Sequence, residues 1–406
     1  MTDEARLARR MADLAKIGGS GTSVSRLGLT PEEEAARHLV ASWCEPLGAK
    51  ARRDAAGNVY LRFDAADPNA PVVLVGSHID SVPEGGRFDG ALGVCCAVEA
   101  VVSLVESRAR FARPVEVVAW ADEEGARFGI GLFGSAAAFG KLPPNAADRR
   151  DAGGTTIAAA LGALGMRGDL AEARRDPKQI RAYLELHIEQ GPRLERMGLP
   201  VAIVSEIVGI YHGRVTVRGR QDHAGATVMG ARKDALVAAS EIVVALERIA
   251  SGVADAVGTV GEIAVRPGAK NVIPGDCVFS LDIRAPREES IERVLEQLRR
   301  DIDRIASTRG VAIGVEPLQR VAVTPLDGDI RALLQRATHD VGVDAPLLVS
   351  GAGHDAQNPS LSGVPTGMLF IRSTGGSHTP TESADIADAA IATRALEMAI
   401  TELARA

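Results

Sequence analysis

His78, Asp80 and Asp89 lie within twelve residues of one another, in Gly76-Ser77-His78-Ile79-Asp80 and Gly85-Gly86-Arg87-Phe88-Asp89-Gly90. An imidazole beside carboxylates suits a divalent transition ion. The glycines let the chain turn sharply and let a ligand approach the backbone. Taken alone, the segment could also be a polar turn with no chemistry. Residues of the same types recur in Asp122-Glu123-Glu124-Gly125, at His187, and at His378 in Gly375-Gly376-Ser377-His378-Thr379-Pro380. Two adjacent carboxylates on an extended chain or tight turn point in different directions, so one could bind a metal while its neighbour faces a substrate. By themselves, the Glu123-Glu124 pair is open to reading as a solvated acidic turn, and His378 reads as a surface histidine rather than a ligand. His78, Asp89, Glu124, His187 and His378 together are too many ligands for one tetrahedral ion. They fit two ions bridged by a carboxylate, roughly 3.5–4 Å apart.

Three apolar runs would carry these residues. Residues 71–75 are apolar on both faces, as in a buried parallel strand. His78 and Asp80 then follow its carboxyl end, where open α/β sheets place ligand sites. Residues 114–120, rich in β-branched side chains, form a second strand running into Asp122. Residues 181–188 alternate, with Ala182, Leu184, Leu186 and Ile188 on one face and Tyr183, Glu185 and His187 on the other. His187 is thus expected on a polar face.

Leu7, Met11, Leu14 and Ile17 keep helical spacing up to Gly18-Gly19. Thr30-Pro31-Glu32-Glu33 reads as a capping box with proline at the first helical position. The stretch 141–180 reads as short helices and loops. From about 208 the order changes to strand 214–219, helix 232–250, strands 257–266 and 277–284, helix 288–307 and strand 311–316. This βαββαβ order is the split βαβ, or ferredoxin-like, arrangement. It falls between His187 and His378, so the surrounding domain must be discontinuous. The expected fold class is α/β: a discontinuous metal-binding catalytic domain with a central mixed sheet (1–207 and 325–406) and an inserted ferredoxin-like α+β lid (208–324).

The 406 residues suffice for two or three domains, and 46% hydrophobic content is ordinary for a protein with a real core. The net charge of −7 comes without a basic cluster, which argues against nucleic acid or an anionic membrane as partner. Cys44, Cys95, Cys96 and Cys277 form no CxxC pattern and fit a reducing compartment, so a cytoplasmic location is expected. The charged N-terminus has no apolar signal core, and no apolar stretch approaches the roughly 20 residues of a membrane span.

The stretches GSHIDSVPEGGRFDGALGV, ADEEGARFG, ELHIEQGPRLE, DHAGATVMGARKDA, NVIPGDCVFSLDIR, GAGHDA and GGSHTPTE resemble, in order, the hydantoinase/carbamoylase branch of the M20 metallopeptidase clan. That branch contains N-carbamoyl-L-amino acid amidohydrolases, β-ureidopropionases and allantoate amidohydrolases. The resemblance implies two divalent ions per subunit (zinc, manganese, cobalt or nickel). His78 and Glu124 would hold separate ions, Asp89 would bridge them, and His187 and His378 would complete the two sets. Asp80 would orient the His78 ring, and Glu123 would be the general base. It also implies a homodimer through the inserted domain, with His223 facing the developing oxyanion and Arg284, Asn271 and Gln190 holding a substrate carboxylate. From the residues alone, Arg284 is as well explained by a salt bridge at a strand end. For His354, a substrate contact, support behind a ligand and plain loop structure all stay open.

The sequence departs from the branch at Ala226-Thr227-Val228-Met229, where relatives read T-T-P-M, and at Arg372, where they often have proline. The implied activity is hydrolysis of the ureido C–N bond of N-carbamoyl-L-amino acids to amino acid, ammonia and carbon dioxide. The alternatives are allantoate or another ureido acid, then an N-acyl amino acid or dipeptide. A catalytically silent binding protein would be expected to have lost a ligand or the base, and all are present.

Overall fold

The computed structural model describes residues 2–166 and 169–405. They form two compact units: Met1–Ser205 with Pro325–Ala406, and Glu206–Thr324.

The first unit is an α/β layer structure around a nine-stranded sheet. At its centre the strands Thr366–Ile371, Ile180–Ile188, Val72–His78 and Val115–Trp120 run parallel in that order. Antiparallel strands flank them: Val59–Phe63 and then Lys50–Arg53 on one side, and Val201–Ile207 on the other, so the sheet is mixed. Val72–His78 and Val115–Trp120 are buried along their whole length, as continuous apolar runs in a parallel sheet require. The helix Ala91–Glu106 is buried around nearly its full circumference. It shares one core with Val73, Val75, Val117 and Leu184 of the sheet and with Leu396 and Ile400 of the last helix, Ile386–Leu403.

The expected polar face of Ile180–Ile188 is not solvated. Tyr183, Glu185 and His187 are each at most 1% exposed, because this strand lies inside the sheet with both faces covered. Their polarity is absorbed by a buried network. Trp120 Nε1 donates to the Tyr183 hydroxyl at 2.9 Å, Ser77 Oγ donates to Glu185 Oε1 at 2.8 Å, and the Ala356 amide donates to Glu185 Oε2 at 2.8 Å. The capping box is also only half formed. Thr30 Oγ1 accepts from the Glu33 amide at 3.3 Å, but the Glu33 carboxylate accepts the Leu29 and Asp122 amides in place of the Thr30 amide.

All four cysteines are buried as free thiols. Burial pushes Cys44 and Cys96 up to about 12. Since the thiolate is the reacting species, the native protein should give no fast reaction with a thiol reagent and four equivalents after denaturation, read by absorbance. Rapid labelling of Cys95 or Cys96 in the native state would contradict this burial.

The second unit has an antiparallel sheet in which Val257–Thr259 and Ile263–Arg266 both pair with Asp276–Ala285. Asp276–Ala285 pairs in turn with Gly209–Arg218, and that strand with Ala312–Val321. Two pieces replace the single strand expected over 257–266, and the strand expected over 277–284 extends by one residue at each end, to Asp276–Ala285. The helix expected from 232 starts at Ala235, because Asp234 caps it by accepting from the Leu236 and Val237 amides. The alternating residues Cys277, Phe279, Leu281 and Ile283 pack with one side of Ala235–Ser251 and Glu288–Arg309. Among the described residues, no helix is long and apolar enough to cross a membrane.

Candidate metal centre and active site

The four parallel strands end together, and the turns after their carboxyl ends carry the candidate residues. His78 is the last residue of its strand, and Asp89 follows in the next loop. Glu123 and Glu124 follow Trp120, His187 is next to last in Ile180–Ile188, and His378 lies beyond Ile371. Gly90 is required where it stands: it adopts φ +59, and a Cβ there would come within 2.4 Å of three atoms of the His78 ring.

The structure brings the five expected ligands into two groups that share Asp89. One is His78, Asp89 and His187; the other is Asp89, Glu124 and His378. In each group the ligand atoms lie within 4.8 Å of one another. Asp89 Oδ1 is 3.1 Å from His187 Nε2 and 3.6 Å from His78 Nε2. Its other oxygen is 3.4 Å from His378 Nε2, which is in turn 3.3 Å from Glu124 Oε2.

This donor set fits divalent cations. His187 Nδ1 lies 2.9 Å from its neighbour's carbonyl oxygen at Ile188, and His78 Nδ1 faces the Asp80 carbonyl at 3.3 Å. With their Nδ1 protons directed there, the two Nε2 lone pairs converge at 3.3 Å beside a carboxylate oxygen. Against burial, Glu123 beside His78 and Asp89 beside His187 raise the hold of both imidazoles on positive charge, which a proton or a cation can supply. Glu124 Oε1 is buried with no donor.

The electrostatics are those of a buried, charge-dense cluster. Burial raises Glu124 to about 7, reinforced by Asp89. Burial, opposed by the His78 imidazole and reinforced by Glu124, Asp355 and Asp80, holds Glu123 well above the usual carboxylate range. His378, hydrogen-bonded to Asp89, is raised to about 9. Glu123 Oε2 is 3.7 Å from His78 Nε2 and faces the first group without belonging to it. Asp80 is buried, and its two oxygens accept the amides of Glu123 and Glu124 at 3.0 and 3.1 Å.

Gln190 adopts φ +61 and donates from Nε2 to Asp89 Oδ2 at 2.8 Å. His354 is 1% exposed and packs edge-on against His187, with ring centroids 4.4 Å apart. Its Nε2 lies 2.8 Å from Ser350 Oγ. Burial, together with the His187 charge, holds it well below the usual histidine range and hence neutral. Arg372 is paired with Asp388 through Nε and Nη2, both at 2.8 Å.

Three of the expected residues lie in the second unit. His223 and Asn271 are close across a short two-stranded ladder, where the Ala224 amide donates to the Asn271 carbonyl at 3.0 Å. His223 Nδ1 accepts the Gly225 and Ala226 amides, both at 3.0 Å, so its ring proton sits on exposed Nε2 as a donor. Arg284 meets Asp282 at two points, Nε to Oδ1 and Nη2 to Oδ2, both at 2.9 Å, and His212 Nε2 is 3.5 Å from the same carboxylate.

Sequence reasoning missed Glu382 and Ser377. Glu382 Oε1 accepts the Phe88 and Asp89 amides at 3.0 and 3.1 Å, and Ser377 Oγ donates to Asp89 Oδ2 at 2.9 Å. Both lie in the stretch around His378, and their contacts span about three hundred residues, so spacing alone gave no sign of them.

The profile of peptidase family M20/M25/M40 matches residues 74–402. The chain is 41% identical over 404 residues to the N-carbamoyl-L-amino acid amidohydrolase of Geobacillus stearothermophilus, covering 98% of each. It is 36% identical to allantoate deiminase 1 of Glycine max, over 94% of this chain and 85% of that protein. Among solved structures, a hydantoinase/carbamoylase family amidase from Burkholderia ambifaria shares 39% identity, with a TM-score of 0.88 over 99% of this chain and 98% of that one.

Proposed function

Because the chain belongs to peptidase family M20/M25/M40, we propose that it hydrolyses N-carbamoyl-L-amino acids at a two-cation centre. One water is consumed, and amino acid, ammonia and carbon dioxide are released. The observation that carries this reading is Asp89, one oxygen in each ligand group, with Glu123 beside the shared cluster. The 41% identity to an amidohydrolase of that specificity supports the substrate class.

His78, Asp89 and His187 would hold one cation, and Asp89, Glu124 and His378 the other. The cations would acidify a water and offset oxyanion charge. Glu123 accepts the proton of the attacking water; its raised affinity for protons lets it hold that proton near neutral pH and pass it to the departing nitrogen. Attack on the ureido carbon and departure of one nitrogen leave a carbamate, which loses carbon dioxide. Asp80 fixes the base by holding its amide. His354, neutral and packed on His187, supports that ring. Gln190 steadies Asp89 and is within reach of substrate by exchanging that hydrogen bond. The second unit acts as a lid and dimerisation domain. There His223 offers its Nε2 proton to the oxyanion, and Arg284 with Asn271 binds the substrate carboxylate.

The reading is tested by product release from the metal-loaded protein. Ammonia is followed with N-carbamoyl-L-amino acids, β-ureidopropionate, allantoate and ureidoglycolate, and free amine with acetyl amino acids. The highest kcat/KM is expected on an N-carbamoyl-L-amino acid. A higher value on allantoate would reassign the substrate, and no turnover of any ureido acid would sink the proposal.

Arg284→Ala should act mainly on KM. A guanidinium–carboxylate contact contributes about 1.5–3 kcal/mol, or about 10- to 100-fold in KM. The expectation is on the low side, because Asp282 competes for the same guanidinium. An unchanged kcat/KM on carboxylated substrates would remove Arg284 from the site.

A further inference from the structure

Glu33 has no part in the chemistry above, yet it is fully buried and directed at the turn that bears the base. It occupies the third position of the helix Pro31–Cys44, from which a capping-box glutamate would reach back to Thr30. Instead Oε2 accepts the Leu29 amide at 2.6 Å, and Oε1 accepts the Asp122 amide at 3.0 Å. Arg37, one turn later and equally buried, balances its charge at 2.5 Å.

The segment Ala121–Glu124 is held in an unusual way. Each of its four amides donates to a side chain: Ala121 to Asn58 Oδ1, Asp122 to Glu33 Oε1, and Glu123 and Glu124 to the two oxygens of Asp80. Its first three carbonyls accept the amides of Gly134, Phe133 and Leu132, at the start of the helix Phe133–Ala138. The strand ladder ends at Trp120, so these contacts, not the sheet, dictate the course of the turn. Asp122 adopts φ +47, a conformation that a non-glycine residue keeps only when its surroundings over-determine it. Gly28 makes room for it: a Cβ there would lie 2.0 Å from Asp122 Oδ1.

We propose that Glu33 is a positioning residue for Glu123. By gripping the Asp122 amide it fixes the peptide from which the base projects, as Asp80 does for the next two. Asp80 fixes the turn from the neighbouring strand end; Glu33 fixes it from a helix 89 residues earlier in the chain. The proposal rests on the reading of Glu123 as general base.

The test compares Glu33→Gln, the double variant Glu33→Gln/Arg37→Met and Thr30→Ala with the full-length, metal-loaded protein, on the best ureido substrate. Glutamine has one acceptor oxygen where glutamate has two, so either Leu29 or Asp122 loses its partner. The double variant also removes the buried Arg37 charge, which Glu33→Gln would leave with Glu34 as its remaining partner, so it keeps the test open if the single one folds poorly. Both should lose kcat by about 10- to 100-fold, the cost of a misplaced catalytic group. KM and metal content should be unchanged, and hydrogen exchange over residues 119–126 should be faster. Thr30→Ala weakens the same helix without touching the Asp122 contact, so its Tm should fall while kcat holds. A wild-type kcat in the double variant, or an equal loss in Thr30→Ala, overturns the proposal. Glu123→Gln, assayed alongside, separates the two readings. If it is inactive while the Glu33 variants run normally, only the positioning role fails; if it is active, the base assignment fails first.

Discussion

Glu123→Gln should lose turnover by roughly a thousandfold, within the range attributed to a positioned proton carrier, while binding metal as the native protein does. The substitution is isosteric. The amides of Asp122, Glu123 and Glu124 keep their carboxylate acceptors on Glu33 and Asp80, so the turn should not move. What changes is chemical: a carboxamide cannot take a proton from water or hand it to nitrogen. Glu123 belongs to neither ligand group, its Oε2 lying 3.7 Å from His78 Nε2, so the ion sites should survive. The pairing of the two outcomes is what discriminates. Elemental analysis equal to wild type with negligible ammonia release identifies the base, whereas near-normal turnover would assign the proton to another group. Loss of metal together with activity would place Glu123 among the ligands.

The parts of this centre legible in the sequence were those that depend on local pattern. Continuous apolar runs marked Val72–His78 and Val115–Trp120 as interior strands, because a strand covered on both faces has no position for a solvated side chain. Chemistry-bearing residues at the ends of such runs then had a preferred location. What alternation could not convey is whether a polar face meets water or a second buried layer. Tyr183 and Glu185 look solvated in one dimension and are buried in three, since their partners Trp120, Ser77 and Ala356 come from other strands and loops. Glu33 shows the limit most clearly. Its spacing from Thr30 is that of a capping box. Its two oxygens go instead to the adjacent Leu29 amide and to the Asp122 amide, in a turn 89 residues away. Arg284 remained balanced between substrate and salt bridge because its partner Asp282 is two residues along the same strand, a pairing the sequence allows without requiring.

Asp89→Asn should be the most damaging change at the ion sites, because Asp89 is the one residue common to both groups. Its carboxylate is held ionised despite burial by the imidazoles of His187, His378 and His78. It also accepts Gln190 Nε2 and Ser377 Oγ on Oδ2. An asparagine has one oxygen to divide between the two sides. With the oxygen towards His78 and His187, its NH2 group faces two hydrogen-bond donors and the second cation. Turned the other way, it presents that NH2 group to the first. Either orientation withdraws one ligand and one negative charge. Losing a partner that merely orients a ligand costs about 10- to 100-fold in metal affinity, so losing a shared ligand should cost more. By contrast, His78→Ala removes a ligand from one group only and should leave the Asp89, Glu124 and His378 group able to bind. Dialysed samples should therefore rank wild type, His78→Ala, then Asp89→Asn in bound ion per chain. Because a cation that binds only the folded state raises apparent stability, the gain in Tm on adding Mn²⁺ or Zn²⁺ should follow the same order. Equal metal content in Asp89→Asn and wild type would mean that Asp89 does not join the two groups through a cation, and the two-ion arrangement would have to be abandoned.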